Sequence, residues 1–225
     1  MAIVGVIPAA GYATRLQPLP CSKEVINVGG RPVIDYVIHR MRLAGCSDLR
    51  VVTRPEKVDV IEHARRRSLA VVLGYPRTSS ESFALGLNGL APDDIVLLGW
   101  PDILWPGEET YVTLGEGVRA GHEVVLGLFE TADDLSRWDT VAVDGEGRVI
   151  GVYPKMSKPA SPIVWAPAAA RRRALDDLER AEWPGSHFDV LCRKGVAIYG
   201  VRFPGKCTDI GTKRDLERAR AVPPL

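Results

Sequence analysis

The chain has 225 residues, 46% hydrophobic and 25% charged, with a formal net charge of +1. That length supports a sizeable core, in one large α/β domain or two small ones. So balanced a charge gives no electrostatic reason to expect nucleic acid or a membrane surface as partner, and it leaves room for a local anion site.

The first stretch, Ile3-Val4-Gly5-Val6-Ile7, is apolar and β-branched and predicts a buried strand. It breaks at Pro8 into Ala9-Ala10-Gly11-Tyr12-Ala13-Thr14 and ends on Arg15. A loop of small residues after a strand lets backbone N–H groups approach phosphate oxygens. Arg15 adds a planar, permanently charged fork, and Lys23, beyond a proline-bearing turn, adds a point charge. The pattern is not GxxxxGK(S/T), and Ala13 stands where the second glycine of GxGxxG belongs. Taken alone, the stretch is either a polyphosphate loop or an ordinary strand-to-helix turn with a surface arginine.

After a short element closing at Gly29-Gly30, apolar residues at 33, 34, 37, 38 and 41 have a helical period, ended by Gly45. His39 beside this stripe has no partner at metal spacing and is read as a surface or boundary histidine rather than a ligand. A strand over Leu49–Thr53 and a helix over Lys57–Arg67 follow. The Arg65-Arg66-Arg67 end is read as solvated cations at a helix C-terminus rather than an anion patch. Leu69–Leu73 makes a third strand, and Thr78-Ser79-Ser80-Glu81 opens a helix reaching Leu90.

Asp94 to Leu98 predicts a buried strand whose turn delivers Asp102. Ligands of open parallel sheets sit beyond the carboxyl ends of strands, so Asp102 is either a site carboxylate on the rim of Gly11–Arg15 or a turn aspartate. A helix over Glu108–Ala120 and a strand over Glu123–Phe129 come next. Asp144-Gly145-Glu146-Gly147 marks a hairpin ending at Lys155, by itself an ordinary end-of-strand lysine, before a loop from Met156 to Pro162. A short strand at Val164-Trp165, a charged helix over Ala168–Glu182 and a strand over Val196–Phe203 complete the middle. Gly205 to Thr212 is a turn carrying Asp209, Thr212 caps a last helix over Lys213–Ala221, and Pro223-Pro224-Leu225 follows. With no repeat or long linker, the alternation argues for one α/β domain with a mixed sheet.

Cys21, Cys46, Cys192 and Cys207 lie far apart, without CxxC or a histidine at ligand spacing. They fit a reducing cytoplasm better than a disulfide framework or a zinc site, and Cys21 and Cys207 are read as small buried thiols. The N-terminus has no secretory pattern, and no apolar run approaches the roughly 18 residues of a bilayer span. The expected location is the cytoplasm.

In order, these stretches resemble the sugar-1-phosphate nucleotidylyltransferases, from residue 3 to about 219. That family opens with Ala-Ala/Gly-Gly-x-Gly-Thr-Arg-Leu, then Pro-Lys, then a Gly-Pro turn into a helix. Here these read Ala9-Ala10-Gly11-Tyr12-Ala13-Thr14-Arg15-Leu16, Ser22-Lys23 and Gly30-Arg31-Pro32. Its Gly-Asp after a strand is Pro101-Asp102, its Glu-Lys-Pro is Pro154-Lys155-Met156, and its Trp-x-Asp-Ile-Gly-Thr is Cys207-Thr208-Asp209-Ile210-Gly211-Thr212. Ala13, Ser22, Trp100-Pro101 and Pro154 depart from the pattern, and the sequence is read as lacking the C-terminal β-helix domain of longer members.

The resemblance implies a Rossmann-like, mixed, mostly parallel sheet flanked by helices. It implies one domain over 1–225, with a nucleotide-binding half at 1–115 and a sugar-phosphate half at 116–225. Ala9, Ala10, Gly11, Ala13, Thr14, Thr78 and Ser79 would hold the nucleotide. Arg15 and Lys23 would act on its phosphates, Lys155 on the sugar phosphate, and Asp102 and Asp209 would hold Mg²⁺. The partners implied are a nucleoside triphosphate and a sugar 1-phosphate, with no nucleic acid or membrane; a homo-oligomer is compatible. A cytidylyltransferase for a polyol phosphate or phosphonate, and a non-catalytic nucleotide-binding protein, stand as alternatives.

Overall fold

A computed structural model of the chain describes residues 1–155 and 159–221. In chain order the strands are β1 (Ile3–Pro8), β2 (Asn27–Val28), β3 (Arg31–Pro32), β4 (Asp48–Thr53), β5 (Ala70–Leu73), β6 (Ile95–Leu98), β7 (Ile103–Leu104), β8 (Val124–Thr131), β9 (Thr140–Val143), β10 (Val149–Tyr153), β11 (Val164–Arg171) and β12 (Ile198–Asp209). The helices are α1 (Ile34–Leu43), α2 (Val58–Arg66), α3 (Ser79–Gly86), α4 (Thr110–Arg119), α5 (Pro184–Arg193) and α6 (Lys213–Ala221).

One mixed sheet runs β5-β4-β1-β6-β11-β8-β12-β7, with the β9–β10 hairpin attached through β11. Its first four strands are all parallel. β11 is then antiparallel to both β6 and β8, while β12 runs parallel to β8. The sequence reason is burial on both faces. On β1, Val4 and Val6 join the layer containing Phe83 of α3 and Phe188 of α5, while Ile7 joins the opposite layer with Met41 of α1 and Leu114 of α4. Period-two alternation between two apolar layers needs a continuous hydrophobic strand, as the sequence has. Gly5 lets α1 lie close, because a Cβ there would come within 2.7 Å of the Met41 sulfur. The ends of β1 and β6 open onto one rim, where the fold places its loops.

Three sequence expectations change. Ala168–Glu182 is not helical: Ala168–Arg171 completes β11, and two 3₁₀ turns, Arg172–Leu175 and Leu178–Arg180, follow. Alanine favours a helix in isolation, but Ala168, Ala169 and Ala170 pair on both sides, with β6 and β8, and are wholly buried in the two apolar layers of the sheet, so tertiary pairing overrides propensity. The stretch from Gly205 is not a free turn either; β12 crosses a bulge after Arg202, resumes at Lys206 opposite Glu130 and reaches Asp209. The helix opened by Thr78 ends at Gly86 rather than Leu90.

Most other local expectations hold. The Thr78 hydroxyl accepts from the Glu81 N–H at 3.1 Å, and Thr212 accepts from the Asp215 N–H at 3.3 Å, so both act as caps. Arg65, Arg66 and Arg67 are exposed, with Arg67 paired to Asp35 of α1. Cys207 is a buried thiol as expected, whereas Cys21 is only partly buried, against that expectation; both are free. Met156 and Pro223-Pro224-Leu225 lie outside the described residues. Among the described residues, no helix is long and apolar enough to cross a membrane.

Candidate active site

A cleft of about 500 Å³ opens at the carboxyl ends of β1 and β6. One wall is the loop after β1, and its hydrogen bonding is one-sided. Every carbonyl from Ala9 to Thr14 is taken. Ala9 O accepts from Thr53 Oγ1 at 3.1 Å and Lys57 Nζ at 2.8 Å, and Ala10 O from Arg54 Nε at 2.9 Å. Gly11 O accepts from Lys57 Nζ at 2.9 Å, and Tyr12 O from Gln17 Nε2 at 3.3 Å. Ala13 O and Thr14 O accept from the N–H groups of Leu16 and Gln17. By contrast, the N–H groups of Ala10, Gly11, Tyr12 and Ala13 have no protein acceptor among the described residues. Four consecutive free donors beside a cleft are an arrangement that suits an anion. Ala13 keeps the left-handed conformation, at φ 52°, that glycine adopts most easily.

Charged side chains converge beneath this loop. Lys23, in a 3₁₀ turn, pairs with Asp102. Burial opposes its charge, but Asp102, Asp209 and Glu24 outweigh burial and lift its pKa above the ordinary lysine value. Asp102 and Asp209 are brought together by main-chain bonding: β7 pairs Ile103 with Asp209, and Ile210 N–H donates to the Asp102 carbonyl at 2.9 Å. Burial, then the Asp102 charge, push the Asp209 carboxyl up, against the pull of Lys23 and Arg137. Arg137 donates to Asp209 at 2.7 Å and to Asp215 at 3.2 Å. Gly211 leaves room for this crowd. A Cβ there would lie 2.4 Å from Arg137 Nη2, 2.8 Å from Asp209 Oδ2 and 3.2 Å from Arg15 Nη2, which places Arg15 on the same side.

The far end of the cleft is aromatic. Lys155 Nζ sits 3.5 Å above the Trp183 ring, a cation–π contact. Its N–H donates to Asp139 Oδ1 at 3.1 Å, and Asp139 is buried against the start of α5, where a Cβ on Gly185 would lie 2.1 Å from Oδ2. Burial pushes Lys155 down, with Asp139 and Asp209 pulling it back. Burial also pushes Asp139 up, although the Lys155 charge resists it. Trp100, which precedes Asp102, meets Phe83 and Trp165 edge-on at 5.1 and 5.0 Å and fills the space between the sheet and α3.

Ala10, Gly11, Ala13, Thr14, Arg15, Lys23, Thr78, Ser79, Asp102, Lys155 and Asp209 all line this cleft. Ala9 does not: it is wholly buried under the loop and offers only its carbonyl. The hydroxyls of Ser79 and Ser82 are buried on the α3 wall without a partner among the described residues. Sequence reasoning missed Arg54, Lys57, Arg137, Asp139 and Trp183. Only Asp139 carried a local signal, as an acidic residue directly after Trp138 at the start of the hairpin segment.

The carboxylates also decide whether a metal ion suits the site. Among the described residues no group of three metal-binding side chains occurs. Asp102 and Asp209, brought together by the β7 pairing and both lining the cleft, are a pair of hard oxygen donors. That suits Mg²⁺, which takes one or two carboxylates and completes its shell with water and substrate phosphates. Burial is the larger push on Asp209, and the neighbouring Asp102 charge adds to it, an added repulsion that a divalent cation relieves.

The profile of the MobA-like NTP transferase domain matches residues 5–191. A glucose-1-phosphate thymidylyltransferase of Mycolicibacterium smegmatis is 26% identical over 167 residues, 70% of this chain and 57% of that protein. The UTP–glucose-1-phosphate uridylyltransferase AglF of Haloferax volcanii is 26% identical over 233 residues, 95% of this chain and 93% of that protein. The chain thus spans little more than half of some relatives and nearly all of another. A solved UDP-glucose pyrophosphorylase complexed with UDP-glucose superposes with a TM-score of 0.83 at 15% identity, covering 98% of each chain, which shows a shared fold.

Proposed function

From the premise that this chain belongs to the MobA-like NTP transferase domain family, we propose that it joins a nucleoside triphosphate to a sugar 1-phosphate, giving a nucleoside-diphosphate sugar and pyrophosphate. The observation that carries the reading is the one-sided loop: free N–H donors from Ala10 to Ala13 line the same cleft as Lys23, Asp102, Asp209 and Lys155. Residues 1–115 would then hold the nucleotide and 116–225 the sugar phosphate, in one domain.

An oxygen of the sugar phosphate attacks the α-phosphorus in line. As that P–O bond forms, the bond from the α-phosphorus to the bridging oxygen breaks, and pyrophosphate leaves with the electron pair. The attacking phosphate is already an anion, so no general base is needed; the protein's work is positioning and charge neutralisation. The loop N–H groups cradle the triphosphate while Ser79 and Thr78 face its nucleoside end. Arg15 stabilises charge growing on pyrophosphate, and Lys23 bridges the reacting phosphates. Lys155, fixed by Asp139 and Trp183, holds the sugar phosphate. Asp102 and Asp209 would hold Mg²⁺, which when bound supplies the positive charge that lets two anions meet.

A pyrophosphate-release assay crossing five triphosphates with a panel of sugar 1-phosphates tests this. Release is expected only with both substrates and Mg²⁺, and it should stop on chelation. Release with a polyol phosphate or phosphonate but no sugar phosphate would favour a cytidylyltransferase. No release with any pair would leave a nucleotide-binding protein.

A further inference from the structure

The connection between β4 and α2 carries no recognised motif, yet it determines how the loop after β1 is held. Lys57 is buried there, and its ammonium is fully used: Ala9 O at 2.8 Å, Gly11 O at 2.9 Å and Glu24 Oε2 at 2.6 Å. The three acceptors lie 33 to 48 residues away in sequence, so the contact joins separate segments. In a trans peptide the carbonyl and the following N–H point in opposite directions. Drawing the Ala9 and Gly11 carbonyls onto Lys57 therefore turns the N–H groups of Ala10 and Tyr12 away from it, and both residues line the cleft. Those two N–H groups are among the donors left without a protein acceptor. Glu24 follows Lys23 directly, so the same ammonium also ties the loop to the turn that carries Lys23.

We propose that Lys57 is a positioning residue of the phosphate loop, holding the Ala9 and Gly11 carbonyls inward so that the N–H donors of Ala10 and Tyr12 are aimed at a triphosphate before one arrives. Lys57 does not line the cleft and touches no substrate; it acts through the loop. Preorganisation of this kind appears in affinity, because the bound nucleotide does not have to order the loop. The inference rests on the reading of the cleft as a nucleotide site.

The competing explanation is that Lys57 and Glu24 merely pin α2 to the neighbouring turn. Calorimetric titration with Mg²⁺ and each of ATP, GTP, CTP, UTP and dTTP separates the two, using the triphosphate that wild type binds best. The Lys57→Met/Glu24→Gln double variant removes both charges and leaves no unpaired buried ion; Glu24→Gln alone keeps the bonds to the carbonyls. The proposal expects the double variant to bind about tenfold or more weakly, and Glu24→Gln to stay within about threefold of wild type. Equal weakening of both variants would assign the effect to the ion pair and overturn the proposal, as would a folded double variant that binds like wild type with only its Tm lowered. If the double variant does not fold, Lys57→Arg decides, since it keeps the charge against Glu24 but cannot reproduce the three-way geometry: about tenfold weaker binding supports the proposal, wild-type binding overturns it. Wild-type protein that binds no triphosphate would instead overturn the nucleotide reading, and this inference with it.

Discussion

Lys23 and Asp102 form a largely buried ion pair between the turn after the phosphate loop and the turn after β6. Each is given a different partner in the proposed reaction: phosphate for the lysine, a divalent cation for the carboxylate. Without substrate they neutralise each other, which keeps both turns in place and avoids an unpaired buried charge. Substrate and metal would exchange one set of opposite charges for another.

Lys23→Met and Asp102→Asn should each lower the turnover number by about 10²-fold or more, the usual result of removing one aimed charge from a reacting centre. Circular dichroism spectra should match wild type. Near-normal turnover in either variant would mean that the residue has been given the wrong role.

Asp209 gives a stability prediction with a definite sign. Burial and Asp102 raise its folded pKa above the ordinary aspartate value, so in the window between the two values the folded state holds more protons than the unfolded one. Its contribution to stability is therefore lost as pH rises through the folded pKa. Asp209→Asn, which cannot ionise, should melt higher than wild type at pH 8, and the gap should narrow toward pH 4. Thermal melts at several pH values check this; a gap that widens on acidification would contradict the assignment. The same carboxylate must be ionised to hold a cation, so activity should fall on the acid side earlier than for an unperturbed aspartate.

Lys155 lies at the far end of the cleft, the proposed acceptor end, on Trp183 and beside Asp139. Replacing it with methionine removes a charged hydrogen-bond donor worth about 1.5–3 kcal/mol, so KM for the sugar phosphate should rise on the order of tenfold or more. KM for the triphosphate should stay within about twofold of wild type. A change confined to the triphosphate would place Lys155 on the wrong substrate.

Ala13 holds φ 52°, a conformation that costs an L-residue about 1–2 kcal/mol. Ala13→Gly relieves that cost but loosens the unfolded chain and gives up a small apolar contact. A net gain of about 0.5–1 kcal/mol in urea denaturation is expected. A loss of stability would show that the alanine side chain contributes more packing than its conformation costs.

The positions legible in the sequence were those whose chemistry is contiguous. Ala9 to Arg15, Lys23, and the Asp209-Ile210-Gly211-Thr212 run stand in short ordered motifs, and the strand before Asp102 announces the turn that delivers it. Lys57, Arg54 and Arg137 were not legible, because nothing near them in sequence says which backbone they will meet. Lys57 reads as the first residue of a helix until folding brings Ala9, Gly11 and Glu24 around it. The same limit explains Ala168–Glu182: alanine and arginine favour a helix locally, but pairing with β6 and β8 on either side overrides that preference over Ala168–Arg171. The fold class survived this error because the parallel strands β1, β4, β5 and β6 announce themselves by β-branched runs ending in turns.

The central claim is that free N–H donors of one loop and scattered charged side chains gather in one cleft, the loop with Arg15, Lys23 and the two aspartates on the triphosphate and Lys155 on the acceptor phosphate. Amide NMR of the ¹⁵N-labelled protein, titrated with Mg²⁺ and a triphosphate carrying a methylene bridge between its α- and β-phosphorus atoms, tests it most directly. The amides of Ala10, Gly11, Tyr12 and Ala13 are predicted to shift strongly downfield at saturation, together with those flanking Lys23 and Asp209. Saturable binding that left those loop amides unmoved would contradict the account.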